Sequence, residues 1–305
     1  MGNVLIKAAA FVVVIVLGYL LKRRGFFRKE DFGILSRIVI NITLPCAIIM
    51  NFSRISLQSS LLVAVGLGLG CNLVTVGFGY LYALRKSGTE KAFYMLNLSG
   101  YNIGCFTMPF VQSFLGPTGM VVTSLFDAGN SLMCTGASYS LASLAAGKRE
   151  GSAVSSFLKK MFRSVPLDTY LVMLILGLFQ LPLPAFVGTF ADIVGSANGF
   201  MAMLMLGVGF ELKLEKAQLA RIFRHLALRF GMSAVFALLF YFCLPLPLEV
   251  RQVLAIVVFA PVSAVATAFT QRCDGDVALS SAINSLSIVV SVIIITGLLL
   301  TMGLG

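Results

Sequence analysis

Charge is scarce in this chain: 11% of its 305 residues are Asp, Glu, Lys or Arg, against 58% hydrophobic, and the mean hydropathy is +0.97. That leaves too little polar surface to coat a soluble globule of this length, so the missing solvent has to be lipid. A helix crosses the ~30 Å hydrocarbon core with about 20 apolar residues, which gives the chain room for roughly ten crossings and no separate soluble domain. Histidine is scarcer still. The single one, His225, sits among Arg221, Arg224 and Arg229, where a solvated surface role is expected. No H-E-x-x-H stretch occurs and the intramembrane acids form no evident catalytic pair, which disfavours a membrane-embedded enzyme. With no G-x-x-x-x-G-K-[ST] loop, the energy for any transport has to come from gradients or the membrane potential. No ring-forming selectivity segment suggests a channel. Cys46, Cys71, Cys105, Cys134, Cys243 and Cys273 contain no C-x-x-C pair, and neither a metal site, a disulfide framework nor a cofactor is expected.

What charge there is carries information through its placement. The net charge of +11 is divided into short clusters between apolar stretches rather than gathered on one face, so it marks topology and not a nucleic-acid partner. Hydropathy and helix breakers suggest ten spans near residues 4–21, 33–52, 60–83, 91–114, 119–146, 167–181, 187–210, 227–244, 250–270 and 277–301. The first has the length of a signal sequence, but no small-residue cleavage site precedes Lys22-Arg23-Arg24, and it is taken as a membrane helix. Of the 23 cations, all but Lys7, Arg54 and Arg251 fall in alternate loops of one set. The positive-inside rule then places both termini on the non-cytoplasmic side of the cell membrane.

The polar linker at residues 147–165 divides the chain into a first repeat, 1–146, and a second, 166–305. Five spans on each side make the second repeat inverted relative to the first. Asn130-Ser131-Leu132 in the fifth span and Asn284-Ser285-Leu286 in the tenth give this slender sequence support. The fourth span carries Gly100, Asn102, Gly104 and Pro109, and the ninth carries Pro261 with Ser263 and Thr267. Glycine and proline at matching positions imply that both helices are interrupted near mid-membrane. Interruptions matched between two halves point to a transport site, where half-helix N-termini offer partial positive charge and unpaired N–H groups to an anion.

The opening Gly18-Tyr19-Leu20-Leu21-Lys22-Arg23-Arg24-Gly25, followed by residues 35–45 ending in Asn41-Ile42-Thr43-Leu44-Pro45, resembles the auxin efflux carrier family, which includes bacterial carriers and the plant PIN proteins. The resemblance continues through Tyr101-Asn102 to Pro109, through Leu206-Gly207-Val208-Gly209, and through Ala260-Pro261 into the last span. It implies an all-α integral membrane fold of ten transmembrane helices, a 5+5 inverted repeat in which broken helices 4 and 9 cross. The first two spans of each half would form a scaffold and the last three a mobile unit. PIN-type carriers have Pro-Asn at the crossover, whereas Tyr101-Asn102 stands here, so Gly100 and Gly104 are the expected unwinding residues.

On this footing the expected substrate-binding residues are Tyr101, Asn102, Gly104, Pro109, Pro261, Ser263 and Asn284, with Asp127, Asn130 and Thr267 for a coupling ion. Asp127 is the acid most deeply placed in a span, and two readings stay open: proton or cation coupling, or a structural carboxyl bonded between helices. Asn41 either lines the cavity or packs within the scaffold. No intramembrane Arg or Lys is conspicuous as a partner for a second carboxylate. The expected function is a secondary carrier of a small organic anion by alternating access. A sodium-coupled symporter of bile acid type is the alternative. Expected partners are that anion, the lipid bilayer and a coupling proton or sodium ion, with a homodimer left open.

Overall fold

The computed structural model describes residues 2–28, 30–54, 59–148, 164–211 and 218–304. Among them every regular element is a helix. Most of the expected linker and the cations Lys29, Arg149, Lys159, Lys160, Arg163, Lys213 and Lys216 lie outside the described residues.

α1 (Gly2–Arg23) is apolar from Ala8 to Val16 and carries Lys22 and Arg23 in its last turn, where cations complement the negative end of the helix dipole. The next rod runs from α2 (Asp31–Ile38) through a π turn, Val39–Thr43, into α3 (Leu44–Phe52). Pro45 accounts for that turn: it has no N–H to donate, its ring crowds the preceding carbonyls, and the chain widens so that Leu44 N–H reaches Val39 O. α4 (Val63–Tyr82) follows, then α5 (Gly88–Leu98), whose start is fixed by Ser87 Oγ accepting from Glu90 N at 3.2 Å. After a break the chain resumes in a second π turn, Ile103–Thr107, and α6 (Met108–Phe114), where Pro109 plays the part of Pro45 and Met108 N–H reaches Ile103 O. α7 (Gly116–Leu132), a third π turn and α8 (Ser138–Ala145) complete this half.

The second half contains α9 (Val165–Leu178), α10 (Ala185–Ser196), α11 (Asn198–Gly209), α12 (Leu219–Cys243), α13 (Leu248–Val257), α14 (Val265–Arg272) and α15 (Val277–Thr301). Asp276 caps α15 by accepting from Leu279 N at 2.9 Å.

Among the described residues, six helical stretches are long and apolar enough to cross a bilayer: Val4–Arg23, Asp31–Phe52, Ser60–Tyr82, Ala185–Gly209, Leu219–Cys243 and Val277–Thr301. Ile6, Val13, Leu81, Leu238, Phe242 and Ile293 on these rods are exposed, as side chains facing lipid must be. The protein is a multi-pass membrane protein.

Glycines set the closest approaches. A Cβ on Gly207 of α11 would lie 2.1 Å from Ile15 O of α1. A Cβ on Gly68 of α4 would stand 2.0 Å from Phe126 O of α7, and one on Gly129 of α7 would stand 2.0 Å from Val65 O of α4. These pairs of helices pack backbone to backbone, as small residues permit in membranes. α3 packs on α9 and α10, and α13 reaches across to α7 while α14 reaches to α5.

Candidate functional site at the crossing of two interrupted helices

The first interruption lies between Leu98, the end of α5, and Ile103. It begins at Gly100, whose φ of +74° falls in the left-handed region where a side chain is strained. The second lies between Val257 and Val265, around Pro261. The two segments meet as an antiparallel bridge between Tyr101 and Val262. Asn102 N donates to Pro261 O at 2.9 Å and Ser263 N to Gly100 O at 3.3 Å. Each broken helix thus supplies hydrogen bonds that the other lost.

The remaining backbone groups are taken up by side chains from neighbouring helices. Asn130 of α7 behaves like a peptide: its Oδ1 accepts from Tyr101 N at 3.0 Å while its Nδ2 donates to Tyr101 O at 2.9 Å. Asn72 of α4 accepts from Gly100 N at 2.7 Å and donates to Asn130 Oδ1 at 3.1 Å. Across the bridge, Asn284 Nδ2 of α15 donates to Val262 O at 3.0 Å, and Ser287 Oγ accepts from Val262 N at 3.0 Å. Ser291 Oγ donates to Phe259 O at 2.7 Å. The asparagines of the two Asn-Ser-Leu tripeptides therefore hold the carbonyls of the two bridging residues.

Asp127, buried one turn before Asn130, accepts from Asn130 Nδ2 at 2.8 Å and from Tyr170 OH of α9 at 2.7 Å. A hydrogen-bonded chain thereby runs from the crossing to α9. On the other flank Arg229 of α12, only 1% exposed, donates to Leu98 O, to Gly100 O at 2.8 Å and to Ala260 O at 3.4 Å. Its guanidinium carbon lies 4.4 Å from the centre of the Tyr101 ring. Beside the crossing opens a cavity of about 530 Å³, lined by Ala264 and Thr267 of the second interrupted helix, by Asn284, Ser281 and Ser285 of α15, by Gly209 at the end of α11 and by Glu211 after it.

Over residues 4–299 the sequence matches the family described as membrane transport protein. The chain belongs to the auxin efflux carrier family. It is 27% identical over 201 residues to an uncharacterized transporter of Methanothermobacter thermautotrophicus, a match covering 65% of this chain and 65% of that protein. The similarity thus spans a little under two thirds of the relative's length. The family is one of membrane transport proteins.

In this auxin efflux carrier family member, Tyr101, Asn102, Pro261 and Ser263 meet at the bridge itself. Asn130 and Asn284 hold it from either side, and Asp127 hangs from Asn130. Gly104, in the π turn, is close-packed on Leu44, and a Cβ there would stand 3.8 Å from Asp127 Oδ2. Thr267 is held elsewhere: it lines the cavity and pairs with Ser280 Oγ at 3.2 Å. Pro109 stands beyond the break, in the first turn of α6. The break after α5 is opened by Gly100, and Pro109 shapes the π turn that follows. Asn41 lies in the π turn of the second rod with its side chain exposed.

Two expectations are corrected. His225 is buried, with ring centres 5.7 Å from Phe93 and 5.4 Å from Tyr94, and is no surface residue. Arg229, counted among the loop cations, is buried against the two interrupted helices. Both errors have one cause: α12 starts at Leu219 rather than near 227, so its basic residues belong to the helix. Arg221, His225 and Arg229 recur at the i, i+4 spacing that puts side chains on one face. That spacing was the available signal. Asn72, a lone amide inside an apolar span, was the signal for the clamp on Gly100.

Proposed function

We propose that this protein is a secondary carrier that moves a small organic anion across the cell membrane by alternating access. The observation that carries the reading is the antiparallel crossing of two interrupted helices beside a cavity large enough for a small organic acid. At each interruption a helix restarts without a side-chain cap: Asn102 precedes Ile103, and Ala264 precedes Val265. First-turn N–H groups lack helical partners, and a carboxylate can accept from them in a site that the helix dipole already favours. Asn102 makes no cap hydrogen bond with its side chain, which leaves its amide for substrate.

The ten-span inverted repeat belongs to the same reading. Three parallels support it: the matched roles of Asn130 and Asn284, the contact of α1 with α11 mirrored by that of α9 with α3, and the contact of α4 with α7 mirrored by that of α12 with α15. The charge alternation supports termini outside the cytoplasm. The Asp127–Tyr170 bond joins the unit carrying the crossing to the expected scaffold, so Asp127 is the residue where a coupling proton or sodium ion would act.

The experiment is exchange of labelled mono- and dicarboxylates by purified protein in liposomes, with sodium replaced by choline and pH varied. Saturable, exchange-stimulated flux is expected; flux linear in concentration would overturn the carrier reading. Asn102→Ala should weaken substrate affinity about tenfold while folded protein is retained, the scale of one lost hydrogen bond. Asp127→Asn should alter the pH or cation dependence of flux, and an unchanged dependence would leave Asp127 a purely structural carboxyl.

A further inference from the structure

A helix ends in carbonyls that carry partial negative charge, and an interrupted membrane helix puts that end where water cannot reach it. Here two such ends converge. α5 stops at Leu98 and α13 at Val257, each beside the bridge. Carriers that couple to a cation commonly need a metal ion in such a place, because a ring of carbonyl oxygens is what a hard cation binds.

We propose that Arg229 is the resident cation of the crossing, occupying the carbonyl-lined place between the two helix ends so that the crossing is complete without sodium. The guanidinium suits this position because its planar fork addresses several acceptors at once. One nitrogen donates to Leu98 O and the other is shared between Gly100 O and Ala260 O, so both broken helices are tied to one group. The ring of Tyr101, itself a bridging residue, covers one face at 4.4 Å. The side chain is 1% exposed, so its charge is offset by these carbonyls and this ring and not by solvent. With those oxygens engaged, a metal ion has no ligand set left there. Any coupling ion must act elsewhere, at Asp127 or not at all. Arg229 is a positioning residue in this account and does not touch substrate.

The test is thermal stability of the full-length protein in detergent, which needs no knowledge of the substrate and so fails or succeeds independently of the transport reading. Wild type and Asp127→Asn are melted in sodium, potassium and choline chloride at equal ionic strength, and the three midpoints of Asp127→Asn should coincide. A sodium-specific rise that persists in Asp127→Asn would overturn the proposal, because it would mean that a metal finds the carbonyls and not Asp127. Arg229→Ala should melt about 5 °C or more below wild type. Methylguanidinium chloride should restore part of that loss where choline chloride does not, and the absence of any such rescue would count against the assignment. Arg229→Lys keeps the charge but loses the fork and should fall between the two. Should Arg229→Ala fail to accumulate, Arg229→Lys and the Asp127→Asn salt series decide: a lysine variant melting with wild type would overturn the forked tie.

Discussion

The two interrupted helices meet the same difficulty, a bridging residue with both backbone groups adrift in a membrane, and meet it with different side chains. Tyr101 has its N–H and its C=O closed by one residue, Asn130. Val262 has them closed by two, Ser287 and Asn284. The first break turns on a left-handed glycine, the second on a proline. The first has a carboxyl bonded to its clamp, since Asp127 accepts from Asn130. The comparison teaches that the geometry is shared while the means are not.

Substitutions can break or sharpen this contrast. Asn130→Ala should have the largest effect, roughly 3 kcal/mol or more, because it strips partners from Tyr101, Asn72 and Asp127 at once. Its melting temperature and detergent-extracted yield are the readouts. Gly100→Ala comes next. It forces a side chain into the left-handed region at about 1–2 kcal/mol and brings a Cβ to 2.9 Å from Ser263 Cβ, so the melting midpoint should fall by several degrees. Asn284→Ala should cost less, about 1 kcal/mol, because Ser287 still holds Val262 N–H. Equal midpoints for the alanine variants at 130 and 284 would erase the asymmetry. Tyr170→Phe should do least to stability, since it removes one hydroxyl. Its effect belongs in the rate, where exchange flux should change several-fold with the melting point nearly kept. A flux equal to wild type would show that the link from Asp127 to α9 plays no part in turnover.

Much of this contrast could be read from the chain itself. Gly100 and Pro261 announce the breaks because their backbone constraints act whatever surrounds them. The repeated Asn-Ser-Leu was legible as a pattern, but its meaning, one amide per bridging carbonyl, appears only once the crossing is built. Arg229 and Tyr170 were not recognised for a different reason. Hydropathy averages a window and sorts cations by where they stand along the chain, whereas the burial of Arg229 depends on three carbonyls from two other helices. Tyr170 looks like any aromatic near a span until its hydroxyl is seen against Asp127.

The glycine contact between α4 and α7 has a reach beyond packing. Asn72 projects from one of these helices and Asn130 from the other, and together they grip Gly100 and Tyr101 as two jaws. The spacing of the jaws is fixed by Gly68 and Gly129, where the backbones touch with no room for a methyl group. Those two glycines are the gauge to which the whole polar assembly is calibrated. One added carbon there would spread the jaws and slacken hydrogen bonds that neither glycine makes.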